Sequence, residues 1–343
     1  MKKLLNTLYV TSPDTYLALD GENIVVLKEQ QEAARLPLHN LEGILAFGYT
    51  GASPALMGRC AKYGPSLSFL TAQGRFLCRV TGETNGNVTL RKTQYRISDD
   101  PTASVRLARR FILGKLYNSR WVLERATRDH PQRIDIARVK EASRQLAQSI
   151  SAVNECEDSA RLRGLEGEAA SCYFGVLDEL ILQQKEDFPF SGRNRRPPLD
   201  NVNALLSFVY TLLAHDCASA LEGVGLDAYV GFLHRDRPGR ISCALDLMEE
   251  LRSVYADRFV LSLINRREVS IKGFSRQESG AVIMDDDTRK AVLREWQEKK
   301  QDKITHPFLD EKMEWGLVPH VQALLLARYL RGDLDDYPVF LWK

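Results

Sequence analysis

Polar and apolar positions change their rhythm once along this chain. Early on, short apolar runs rich in strand-forming residues alternate with turn residues. Residues 16–19 and 24–27 are two such runs, and Asp20-Gly21-Glu22-Asn23 between them is a hairpin signal. A further strand is expected over 44–47. Ser53-Pro54 has the form of a helix cap with proline at the first helical position, opening a short helix over 55–63. Runs over 66–70 and 75–80 around Gln73-Gly74 predict a second hairpin. Residues 1–97 therefore read as a small β-rich domain carrying one short helix.

After Ser98-Asp99-Asp100-Pro101 the rhythm becomes helical. Val105, Phe111, Ile112, Leu116, Val122 and Leu123 recur at helical spacing, with a dozen or more residues before any breaker. Helices are expected over 102–128, 134–152, 158–184, 201–221, 242–264, 286–300 and 315–331. Asp200 is placed to cap the helix that follows Pro197-Pro198. The connector 188–199 (FPFSGRNRRPPL) reads as a loop, and the apolar tail 337–342 is expected to dock back onto the helices. The fold class is thus α+β and multidomain, with a helical domain over 98–343.

Composition refines this picture in a few places. With 343 residues, two domains are the leading expectation. A net charge of +2 excludes a uniformly basic, DNA-coating protein. Charge is nevertheless partitioned. Residues 91–144 hold 14 Lys/Arg against 6 Asp/Glu, a local excess of +8, while residues 150–190 are acidic. An enzyme that holds a polyanion with basic groups and a cation with acidic ones needs both kinds of surface. The six cysteines form no CxxC pair, so neither a zinc ribbon nor a disulfide framework is expected, and reduced cytoplasmic thiols are the simple reading. The nearly apolar run 204–214 is too short to span a bilayer, and the first ten residues do not read as a signal peptide. Asn87-Val88-Thr89 matches a glycosylation sequon that has no meaning without export.

Some motifs fail on context. Gly223-Val224-Gly225-Leu226-Asp227-Ala228 fits a dinucleotide fingerprint, but a helix precedes it where a strand is required, so it reads as a helix-ending glycine turn. No Walker A sequence occurs. His215-Asp216 has the form of the metal phosphohydrolase pair but lacks supporting histidines and aspartates.

Three segments of the helical part carry candidate chemistry. In RLRGLEGEAA, Glu166 lies among glycines and small residues that would let a backbone or a phosphate approach. In YVGFLHRDRPGR, His234 ends an apolar, strand-like segment and opens a basic turn. In SCALDLMEEL, Asp246 and Glu249 are three apart and share a helix face. The bland alternative is that these acids complement the helix macrodipole, worth about 0.3–1 kcal/mol each. Glutamate, imidazole and carboxylate together form an O/N donor set suited to Mg²⁺ or Mn²⁺.

At these segments the chain resembles a known family, the CRISPR-associated spacer-acquisition integrase, which is the metal-dependent DNA endonuclease subunit of the adaptation complex. The hairpin PSLSFLTAQGRFLCRV, the helix PPLDNVNALLSFVYTLL and the ordered set LRGLEGEAASCYF, GFLHRDRPGR and ALDLMEELR carry the resemblance, which is greatest to the type I-C form. It implies an N-terminal β-sandwich-like domain, for dimerisation and DNA contact, and a C-terminal α-helical catalytic domain. It implies Glu166, His234 and Glu249 as metal ligands, with Asp246 as a further acidic group at the catalytic site. Some members carry aspartate where this chain has Glu249, one methylene longer. Arg163, Tyr210, Arg235, Arg237 and Arg240 are expected near DNA. The implied reaction is phosphoryl transfer: a 3′-hydroxyl attacks a repeat-boundary phosphodiester, and hydrolysis follows when water takes its place. The implied partners are double-stranded and branched DNA, a second copy of the chain in a homodimer and the small partner subunit of the adaptation complex, with no membrane. Two other readings stay open on the residues alone: an HD-type metal phosphohydrolase using His215 and Asp216, and a non-enzymatic DNA-binding scaffold.

Overall fold

The structure is a computed structural model that describes residues 6–12, 14–48, 50–63, 65–72, 76–82 and 88–343. It divides into two compact units, residues 1–85 with 284–302, and residues 86–283 with 303–343.

The first unit is built on strands. β1 (Thr7–Val10), β5 (Gly43–Phe47), β7 (Ser66–Leu70) and β8 (Phe76–Val80) form one four-stranded sheet in the order β1-β5-β7-β8. β4 (Gln31–Pro37), β3 (Asn23–Lys28), β2 (Thr15–Asp20) and β6 (Gly51–Ala52) form the second, in that order. Both predicted hairpins are present as the antiparallel pairs β2–β3 and β7–β8. Gly21 takes the left-handed conformation at the first turn, where a side chain would be strained; the predicted second turn at Gln73-Gly74 lies outside the described residues, as does Asn87 of the sequon. Leu17, Ile24, Ile44 and Leu67, from four different strands, are fully buried in one apolar cluster with Leu56 of α1 (Pro54–Tyr63). Two sheets sharing one core is the sandwich-like arrangement that was expected. Ser53 Oγ accepts the amide of Leu56 at 3.2 Å, so the predicted cap forms. Helix α9 (Asp286–Gln301) also belongs to this unit.

The second unit is helical: α2 (Val88–Asp99), α3 (Pro101–Asp129), α4 (Ile136–Asn154), α5 (Ser159–Gly175), α6 (Asn201–Gly223), α7 (Ser242–Leu251), α8 (Arg258–Asn265) and α10 (Val318–Leu330). A two-stranded ladder, Lys303–Thr305 with Lys312–Glu314, is added to it. The partition thus differs from a single cut at 97/98, because α2 lies on the helical side and α9 on the other. α7 and α8 are one run joined by a π-helical turn over Arg252–Asp257, where the sequence predicted one uninterrupted helix. α5 ends at Gly175, nine residues before the predicted end at 184, and a short 3₁₀ turn follows. Asp200 caps α6 by accepting the amide of Asn203 at 2.7 Å, as predicted. α6 is the one helix among the described residues long and apolar enough to cross a membrane, and 78% of its apolar window is buried, as expected of a core helix.

The tail docks through polar bonds as well as apolar ones. The buried carboxylate of Glu250 accepts from Tyr337 Oη, from the Phe340 amide at 2.7 Å and from Gln322 Nε2 at 3.0 Å. Burial pushes this carboxyl up to about 7, even though Tyr337, Phe340 and Gln322 pull the other way. Asn118 Nδ2 donates to the carbonyls of Glu250 and Phe340, and its Oδ1 accepts the amide of Trp342.

Candidate metal centre

Three helices and one loop of the helical unit supply the site. α3 opens on Asp100, which accepts the amides of Thr102 and Ala103, with Pro101 at the first turn. Midway along, Gly114 lets α3 press against α7, since a Cβ there would stand 2.9 Å from Cβ of Glu250. That close approach brings the next residue, Lys115, beside Glu249. α5 opens on Asp158, which accepts the amide of Arg161 at 2.6 Å, and it presents Glu166. A Cβ added at Gly164 or Gly167 would meet open space. The glycines flanking Glu166 therefore border a gap, not a second backbone.

The loop that carries His234 is held by one carboxylate. Asp246 of α7 is fully buried. Its Oδ2 accepts the amides of Phe232 and Leu233 at 2.6 and 3.0 Å. Its Oδ1 accepts the amide of His234 at 3.0 Å and lies 2.6 Å from Nδ1 of the same residue. These four bonds use the carboxylate on all sides. They also correct the sequence reading of 229–233 as strand-like, because the amides that would join a ladder turn to Asp246 instead. Ser98, Ser104 and Gln94 hold the carbonyl side of the same loop, at Gly231, Phe232 and Val230. Gly231 is required at this point, since a Cβ there would lie 2.8 Å from Cβ of Ser242 and 2.9 Å from Oδ2 of Asp246. With Nδ1–H donated to Asp246, the Nε2 lone pair of His234 is left for a ligand.

Glu249 lies one turn beyond Asp246, and its side chain is 3% exposed. Its Oε1 is 2.9 Å from a guanidinium nitrogen of Arg252 and 3.9 Å from Nε2 of His234. Its Oε2 is 2.9 Å from Nζ of Lys115, an ion-pair contact outside hydrogen-bond geometry. Lys115 Nζ also donates to Oε1 of Glu166. Burial alone would raise the Glu249 carboxyl. Arg252, Lys115 and His234 outweigh it and hold the group ionised, below the usual carboxylate range.

The predicted residues accordingly take different places. Glu166, His234 and Glu249 face one cavity of about 430 Å³ together with Arg163, Arg235, Arg237 and Arg240. Among the described residues those four arginines have no carboxylate at ion-pair distance, so their charge is available to an anion. Burial and the neighbouring Arg237 lower the Arg240 guanidinium below its ordinary value. Asp246, expected at the reacting centre, stands behind His234 and has no free oxygen for the cavity. Tyr210, expected near DNA, is buried, and its hydroxyl donates to Asp257 at 2.5 Å. Burial raises the Asp257 carboxyl to about 6, although Tyr210, Arg252, Tyr173 and Arg193 favour its ionised form. Arg252 and Arg193 lie over the Tyr210 ring at 4.8 and 5.3 Å from its centre. Tyr210 thus bears on Arg252, and through it on Glu249.

Sequence reasoning missed Lys115, Arg252 and Asp257. Lys115 did leave a signal: it continues the buried stripe Phe111, Lys115, Asn118, Val122, where an unpaired charge could not stay. His215, of the alternative pair, is buried in the core helix α6 and does not line the cavity.

Two carboxylates and an imidazole with a fixed tautomer fit a hard divalent cation. They do not meet as a closed cage. Among the described residues no three His, Cys, Asp or Glu side chains come together closely enough to hold a metal ion as they stand, and the ammonium of Lys115 lies between Glu166 and Glu249.

Comparison with known proteins identifies the family. The profile described as CRISPR-associated protein Cas1 matches residues 8–298. A CRISPR-associated endonuclease Cas1 of Chlorobaculum tepidum is 52% identical over the full length of both chains, and one of Rhodospirillum rubrum is 53% identical, likewise over both full lengths. Among solved structures, a casposase bound to integration product superposes with a TM-score of 0.83 at 24% identity, covering 96% of this chain and 92% of its own. A Cas1 protein of Thermotoga maritima superposes with a TM-score of 0.81 at 19% identity, covering 98% of this chain and all of its own. At those identities the two structures speak for the fold.

Proposed function

The chain belongs to the CRISPR-associated Cas1 family, and from that premise we propose that this endonuclease is a divalent-metal-dependent DNA integrase that inserts foreign fragments into a CRISPR array. Glu166, His234 through Nε2 and Glu249 would hold Mg²⁺ or Mn²⁺. When bound, the ion supplies charge stabilisation at a phosphoryl oxygen and lowers the pKa of the attacking hydroxyl or water.

The chain's own residues do the rest. Arg163, Arg235, Arg237 and Arg240 take the phosphates that flank the scissile bond. Asp246 fixes the ring and tautomer of His234, so a proton cannot be exchanged at Nδ1 without breaking the loop. Arg252, braced by Tyr210 and Asp257, orients Glu249. The attacking group is the 3′-hydroxyl of the incoming fragment and the target is a phosphodiester at the repeat boundary. One phosphodiester is exchanged for another, which needs no nucleotide energy. Water in place of the hydroxyl gives hydrolysis at the same site.

The β-rich unit, 1–85 with 284–302, serves dimerisation and DNA contact in this reading, and the helical unit carries catalysis. The assembly is a homodimer joined to the small partner subunit of the adaptation complex, working in the cytoplasm on double-stranded and branched DNA. Within the family we place the chain with the type I-C form, on the segments that carry the resemblance.

The observation that carries the proposal is the meeting of Glu166 and Glu249 on a single ammonium, with Nε2 of His234 3.9 Å from the second acid. The test is strand joining and nicking of branched DNA with Mn²⁺. Glu166→Ala is expected to abolish both, with His215→Ala near wild type. Equal activity of Glu166→Ala and wild type removes the assignment, and loss only in His215→Ala favours the phosphohydrolase reading.

A further inference from the structure

A lysine on the buried face of a helix is unfavourable unless its charge is met. The Lys115 side chain is 8% exposed, and both groups that meet it are carboxylates assigned above to the metal. Its Nζ donates to Glu166 and lies 2.9 Å from Oε2 of Glu249, while Oε1 of Glu249 is held by Arg252. Two ligand carboxylates are therefore balanced by two cations within the protein. A divalent ion added to that set without rearrangement would leave two uncompensated positive charges in a largely buried site.

We propose that Lys115 is an internal counter-cation of the metal centre. It holds Glu166 and Glu249 together before a divalent ion enters, and it competes with that ion for the same two oxygens. The inference rests on the metal-binding reading of Glu166, His234 and Glu249. Lys115 and Arg252 differ in their freedom to leave. Arg252 is fixed by its ring contact with Tyr210 and lies one helical turn from Glu249 on the same run. Lys115 is tethered by a flexible four-carbon stem, and among the described residues nothing beyond its hydrogen bond to Glu166 and its ion pair with Glu249 anchors its ammonium. Lys115 is thus the cation that yields. Its presence keeps two acids from repelling each other in the metal-free protein, at the expense of metal affinity.

The test is the Mn²⁺ dissociation constant, read from free-ion EPR, for wild type, Lys115→Met and Lys115→Arg. Methionine removes the charge at similar volume. Lys115→Met is expected to bind Mn²⁺ roughly ten- to a hundred-fold more tightly, since no buried ion pairs need be broken. Its melting temperature should fall in EDTA and rise more on Mn²⁺ addition than that of wild type. Lys115→Arg, which keeps the charge, should stay near wild type. Equal or weaker Mn²⁺ binding by Lys115→Met, with wild type still binding, overturns the proposal alone. Failure of wild type to bind Mn²⁺ overturns the reading beneath it and the proposal with it. If Lys115→Met does not fold, reductive methylation of wild-type lysines decides. Lys115 should be protected in EDTA and labelled in saturating Mn²⁺, and unchanged protection contradicts the proposal.

Discussion

Replacing Asp246 by asparagine exchanges one carboxylate oxygen for an NH₂ and hardly alters the volume, yet the structure assigns it a large cost. The aspartate accepts four N–H groups: two at Oδ2 from Phe232 and Leu233, and two at Oδ1 from His234. An asparagine keeps one acceptor oxygen and turns an NH₂ toward the other pair of donors. Whichever way the amide lies, two hydrogen bonds to a charged acceptor are lost and two buried donors face a third. At about 1.5–3 kcal/mol for each such bond, the loss comes to roughly 3–6 kcal/mol. That is a large share of the ~5–15 kcal/mol that holds a domain folded. Urea unfolding in EDTA measures it directly. Nitrogen-detected NMR of His234 reports whether Nδ1 keeps its proton once the acceptor is gone. The expected result is a sharp drop in unfolding midpoint and a His234 ring with mixed tautomers. A change below ~1 kcal/mol with the tautomer intact would refute the role given to Asp246.

Three further outcomes follow from the same structure. Asp257 has a folded pKa of about 6 against an ordinary 3.8, so its stabilising contribution is full below about pH 4 and is lost as pH rises through 6. Asp257→Asn, which can still accept from Tyr210, should flatten the stability profile across that window and raise stability near pH 7 by about 3 kcal/mol at most; an unchanged slope contradicts the buried, protonatable carboxyl. Gly231→Ala should destabilise by roughly 1–3 kcal/mol and weaken Mn²⁺ binding, because its methyl group would collide with Ser242 and Asp246. Gly164→Ala, inside α5 beside open space, should instead stabilise by about 0.5–1 kcal/mol, and equal effects of the two substitutions in thermal melts would contradict the packing described.

Much of this fold is written in local pattern. The β2–β3 hairpin follows from two short apolar runs about a glycine turn, and α3 from an apolar repeat that begins after Ser98-Asp99-Asp100-Pro101. Features that depend on distant partners were not legible. Residues 229–233 form a short apolar run like that of a strand, yet Asp246, more than ten residues away, takes the amides of Phe232 and Leu233. The π-helical turn at Arg252–Asp257 breaks no sequence rule, but it sets Arg252 and Asp257 about Tyr210. Glu166, His234 and Glu249 could be named from sequence because a family resemblance orders them along the chain. Lys115 could have been found without it, as a charge within a buried apolar stripe. Tyr210 looked like a DNA-facing residue, and only its burial under two guanidiniums shows that it acts on Arg252.

The most direct test of the metal centre is a crystal grown with Mn²⁺ and read by anomalous scattering at the manganese edge. The account predicts one strong peak about 2.0–2.3 Å from a carboxylate oxygen of Glu166, from Nε2 of His234 and from a carboxylate oxygen of Glu249, with Lys115 Nζ withdrawn. A peak bonded to other residues, or full Mn²⁺ occupancy with these three side chains unliganded, would contradict it.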